Sequence, residues 1–71
     1  MSAVLDNAMI AAHEAHDSVA LVRLYTEAAD AANDLDASCF YLTHAYVFAL
    51  EAGAPAARRL HQRLVRHGRE A

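Results

Sequence analysis

Between Ala11 and Ser18 the chain reads AAHEAHDS, which puts His13, Glu14, His16 and Asp17 within five residues. Two imidazoles and two carboxylates this close together are the ingredients of a metal site. The helical zinc pattern H-E-x-x-H sets its histidines four apart, so that both project from one side of a helix. Here the spacing is H-E-x-H, and that motif fails. At about 100° per residue, His13, His16 and Asp17 still span an arc of only about 100°, so a metal site of another kind is the alternative reading. The favoured reading is structural. Leu5, Met9, Ala12 and His16 fall on one stripe. His16 is therefore expected to carry the core face into the last turn of a helix, where its ring meets the free terminal carbonyls. His13 and Asp17 belong to the polar edge beside Asp6. A site with three ligands would also need one from another helix, and nothing in the sequence brings His44 or His61 there.

Other candidates for chemistry reduce in the same way. His44 lies in LTHAYVFALEAG. Histidine phosphotransfer domains, which are also helical bundles, place lysine and glycine three and four residues after their histidine. Val47 and Phe48 occupy those positions and crowd the ring. Cys39 sits near the start of a helix, where the dipole lowers a thiol pKa. Its alignment with Leu42, Tyr46 and Leu50 instead marks it as a small packing residue. No Cys–His pair with a third orienting group is evident, and two glycines are too few for a phosphate-cradling loop. The chain reads as a non-enzyme with no cofactor.

The arginines are the most ordered feature. Residues 1–54 hold eight acids and one arginine, residues 55–71 five arginines and one acid, and there is no lysine. Arg59, Arg63 and Arg66 share one face of a helix, with Arg58 at its edge and Leu60, Leu64 and Val65 opposite. A solvated face, with positive charge suiting the helix C-terminus, is the favoured reading, and an acidic partner the alternative. Nucleic acid is disfavoured, because a few arginines compete with an acidic remainder and such binding falls steeply with salt. Membrane binding is disfavoured because the apolar face is committed to the core.

These side chains must be positioned by helices. Of the 71 residues 18 are alanine, the best helix former; glycine occurs only at 53 and 68 and proline only at 55. Ser2 is placed to cap a first helix running to about His16, and Asp17 or Ser18 a second. The second carries Val19, Leu21, Leu24, Tyr25, Ala28 and Ala32 at helical steps and stops near Asn33. Asp36 or Ser38 starts a third, ending at Gly53. Pro55 suits the first turn of a fourth, which runs to about His67 and stops at Gly68. Short connections make the helices antiparallel neighbours. The expected fold is all-α, a single domain over residues 1–71, built as two helical hairpins. The third helix is apolar nearly all round, with faces Cys39/Leu42/Tyr46/Leu50, Tyr41/Phe48 and Phe40/Val47.

A faint repeat runs through the chain. SVALVRLY (18–25) set on APAARRLH (54–61) matches at Ala20/Ala56, Arg23/Arg59 and Leu24/Leu60, and Ala3 and Leu5 align with Ala37 and Cys39. A helix–turn–helix unit repeated after about 34–36 residues suits the tetratricopeptide period. The chain resembles a tetratricopeptide-like repeat protein over nearly its whole length, with Tyr25 and Ala28 at a large and a small position of the second helix and Gly53 at a between-helix turn. It departs from that family in lacking the tryptophan, in having Met9 near the first glycine, and in having Asn33 at the closing proline. The resemblance implies a scaffold that binds a peptide or protein.

Seventy-one residues bury barely enough apolar surface to offset the entropy of ordering them. Help from a partner or a second copy is therefore expected, and surplus aromatic surface on the third helix is where it would dock. Phe40, Tyr41, Val47 and Phe48 are the candidate interaction residues, and a homodimer or a bound peptide the candidate occupant. A lone cysteine suits a reducing cytoplasm. No signal sequence is recognisable, and the apolar run from Cys39 to Leu50 is too short to span a bilayer.

Overall fold

The computed structural model of the chain describes residues 3–69. Among them are four helices and no strand: α1 (Ala3–Glu14), α2 (Ser18–Ala31), α3 (Leu35–Ala52) and α4 (Ala56–Arg66). Each connection is three residues long, so successive helices must reverse direction. The expected cap at Ser2 lies outside the described residues.

The turns show why the helices stop where they do. At the end of α1 the Asp17 N–H donates to the Ala12 carbonyl at 2.9 Å and the His16 N–H to His13 at 3.1 Å. This is the Schellman closure, which needs a left-handed residue at its corner. That residue is His16, at φ 52°. The expectation that His16 extends the core stripe is thereby corrected: it lies past the helix, exposed, and its backbone rather than its ring closes the turn. Asp17 then caps α2 by accepting from the Ala20 N–H at 3.1 Å.

The cap of α3 is Asp34, accepting from the Ala37 N–H at 2.8 Å, and not Asp36 or Ser38. Asp34 alone of the three stands in extended backbone just before the first turn, as a cap must. Asp36 falls inside that turn. The Ser38 hydroxyl reaches back to the Ala29 carbonyl at 3.0 Å, tying the end of α2 to the start of α3. Gly53, left-handed at φ 64°, closes α3 with Ala54 N–H donating to Ala49 O at 2.9 Å. Pro55 precedes the first turn of α4, and Gly68 follows its end.

The α2–α3 contact is the most extensive, followed by α3–α4 and α1–α2. The molecule measures 31 × 29 × 12 Å. Four helices closed into a ring, with axes about 8–10 Å apart, would be nearly square in section. These are instead laid out in a row, slightly staggered. On one side α1 reaches α3 through His13 and Phe48. On the other, α2 meets α4 through Arg63, whose guanidinium donates to the Asp30 carboxylate at 2.7 Å.

Small residues set the core. On α3 the buried positions are Cys39, Leu42, Ala45 and Ala49. Ala45 and Ala49 are wholly buried, so the smallest side chains of α3 take its most enclosed positions while several larger ones do not. The predicted face Cys39/Leu42/Tyr46/Leu50 is correct only in its first half: Tyr46 is half-buried and Leu50 is 56% exposed. Val19 and Val65, both expected on core faces, are likewise exposed, while Val22 and Ala29 are buried on α2. Leu42 and Leu64 are the only large side chains wholly buried among the described residues.

Candidate functional site: an aromatic face across three helices

Tyr25 of α2 is the centre of a continuous set of rings. His44 and Phe48 of α3 stack on it at centroid distances of 5.2 and 5.7 Å, and Tyr41 lies tilted at 6.3 Å. His13, in the last turn of α1, meets Tyr25 and Phe48 edge-on at 5.8 and 5.6 Å. Its Nε2 hydrogen-bonds the Tyr25 hydroxyl at 2.9 Å. Phe40 closes the series, 4.5 Å from His44 and 5.6 Å from Tyr41. These separations are those at which aromatic pairs add to simple burial. Burial pushes the Tyr25 phenol above the ordinary tyrosine range, with Tyr41 adding to the effect.

The residues expected to make an interaction surface divide into two layers. Tyr41 and Phe48 are half-buried and form its floor, whereas Phe40 is 58% and Val47 46% exposed. Thr43, His44, Val47 and Phe48 line a shallow hollow there. Leu50, assigned from the sequence to the core, joins the exposed side. Phe40, Thr43, Val47 and Leu50 follow steps of three, four and three, which is one stripe of a helix. It runs along the side of α3 opposite Ala45.

Sequence reasoning missed His13, Tyr25 and His44 as members of this face. The step Tyr41–His44–Phe48 was a legible signal on α3. Nothing local pointed to His13 or Tyr25, which are brought there only by the packing of α1 and α2.

The three metal candidates do not converge. The His13 ring is turned onto Tyr25, His16 is exposed beyond the helix, and the Asp17 carboxylate accepts from Ala20. Of the two extra histidines, His44 stacks on the same Tyr25 as His13 but has its Nδ1 2.9 Å from the Phe40 carbonyl, and His61 lies against Tyr46 at 5.5 Å. Among the described residues no three His, Cys, Asp or Glu side chains are grouped to hold an ion. Cys39 is buried.

The basic face is partly consumed. Arg63 pairs with Asp30, and Arg69, outside the predicted set, pairs with Asp36. Asp36 holds the Arg69 guanidinium above its usual range by hydrogen bond and charge. Arg59 and Arg66 have no ion-pair partner among the described residues. Among those residues, no helix is long and apolar enough to cross a membrane. No family model, curated protein or solved structure matches the chain.

Proposed function

We propose that the chain is a small non-catalytic protein-interaction module that docks its partner on the α1/α3 face. The observation that carries this reading is the exposed stripe Phe40/Val47/Leu50, with Phe40 against Tyr41 and His44 and Val47 lining a hollow with His44 and Phe48. Large exposed apolar patches on small domains mark contact sites. A floor of stacked rings holds such a patch rigid, which lowers the entropy lost on binding. The face of the molecule measures 31 × 29 Å, room for the ~800 Å² that each partner contributes to a standard interface. The resemblance to tetratricopeptide-like repeats supports the same reading, since such scaffolds bind peptides or proteins.

The non-catalytic part of the proposal rests on occupancy. His13 is engaged by Tyr25, His44 by a backbone carbonyl, Asp17 and Asp34 by helix caps, and Cys39 is enclosed. The occupant is a protein segment or a second copy of the chain. Phe40→Ser/Val47→Ser should leave the circular dichroism spectrum unchanged, since both side chains are exposed, and should lower affinity at least tenfold for any partner recovered with the wild type. A partner held equally by both proteins sinks the proposal.

A further inference from the structure

A row of helices has two open ends, and here the ends are unlike. The main neighbour of α1 is α2 and that of α4 is α3, so the outer sides of α1 and α4 carry no helix. On α1 that side bears Asp6 and Glu14 about Ile10, which is 56% exposed. On α4 it bears Arg59 and Arg66 on either side of Gln62, all three exposed. None of these four charged side chains has an ion-pair partner among the described residues.

We infer that copies of this chain assemble head to tail, the basic edge of α4 seated on the acidic edge of α1 in the next copy. The spacing agrees. Helices alternate in direction along the row, so α4 and the following α1 run antiparallel, setting Glu14 by Arg59 and Asp6 by Arg66. At 1.5 Å per residue the two acids are about 12 Å apart and the two arginines about 11 Å apart along their helices. Ile10, midway between the two acids, meets the aliphatic stem of Gln62, which lies midway between the two arginines. Charge complementarity selects a second copy over an unrelated occupant, because one copy supplies both signs at matched spacing. The contact joins different surfaces, so it is open-ended and does not close on itself as a two-fold dimer does. It is independent of the aromatic face.

Sedimentation velocity on the full chain tests it. At about 0.01 M ionic strength, where charges act over about 30 Å, the sedimentation coefficient should rise with concentration. At about 1 M, where the range falls to about 3 Å, it should return to the monomer value. Arg59→Glu/Arg66→Glu closes one edge and Ile10→Arg the other, and each variant alone should stay monomeric. Mixed in equal amounts they should form a one-to-one dimer and stop there, since one intact edge remains on each. A symmetric contact would not be rescued by mixing. The proposal is overturned by a wild type that stays monomeric at low ionic strength, or by a mixture that stays monomeric while the wild type assembles. It is equally overturned if Phe40→Ser/Val47→Ser abolishes the assembly, which would assign self-association to the aromatic face.

Discussion

His16 shows how a single backbone angle redirects a residue's role. Its φ of 52° is one that glycine reaches without penalty and that side-chain-bearing residues reach at a cost. His16→Gly should therefore stabilise the fold by about 0.5–1 kcal/mol, read as a higher urea midpoint at unchanged slope. Its failure to do so would argue that the imidazole makes a contact of its own. Tyr25 gives a second case. A phenol raised in the folded state holds its proton more tightly than in the unfolded chain. Its contribution is complete below the ordinary tyrosine pKa of about 10 and is lost as the pH rises through the folded value. Alkaline unfolding should thus set in earlier for the wild type than for Tyr25→Phe, relative to each protein's stability at neutral pH. An absorbance titration of tyrosinate should lose its component above the usual range in that variant. Tyr25→Phe should also cost about 0.5–1.5 kcal/mol at neutral pH through the lost bond to His13.

Helices this short depend on their ends. Asp34 supplies the oxygen that satisfies the first turn of α3, the helix with most neighbours to hold. Asp34→Ala should cost about 1 kcal/mol, whereas Asp36→Ala loses only an exposed pair to Arg69 and should cost less. Urea titrations of the two variants should rank them in that order. Deeper in α3, Leu42 and Ala45 are both wholly buried. Leu42→Ala should cost about 2–5 kcal/mol. Ala45→Leu should cost about 1–3 kcal/mol by overpacking. A 71-residue domain has on the order of 4–10 kcal/mol in all, so the first of these is expected to remove about half of it, read as a much lower urea midpoint.

At the scale of the whole molecule, the flat row divides the surface into an aromatic face, a charged face and two edges. The charged face is stitched by Arg63 to Asp30, with Arg23 and Glu27 3.7 Å apart beside it. Substituting Arg59, Arg63 and Arg66 together by glutamine should leave the chain folded and cost no more than about 1 kcal/mol, nearly all of it from the Arg63 pair. Thermal unfolding in low and high salt measures this, since the loss should shrink as salt screens the wild-type pair. If the same triple variant loses affinity for DNA or RNA that the wild type holds at moderate salt, nucleic acid becomes the better reading of these arginines.

The helical class, the four segments and their stops at Gly53 and Gly68 were legible in the chain, because capping, glycine and proline act within a few residues of themselves. So was the surplus of apolar surface on α3, since one helix bearing Phe40, Tyr41, Tyr46, Val47, Phe48 and Leu50 has more to cover than alanine-rich neighbours supply. Which of those side chains would be left outside was not legible. Periodicity offers several faces of nearly equal hydropathy, and packing put Ala45 and Ala49 in the most enclosed positions of α3 and left Leu50 exposed. His13 became part of the aromatic face for the same kind of reason. Its ring found a hydroxyl twelve residues away on another helix, a contact that exists only once α1 and α2 have packed. His16 was misjudged because a helical wheel continues past the residue at which the backbone has already turned left-handed. Local chemistry determined where each helix begins and ends, and the packing of the helices against one another decided which faces stay exposed.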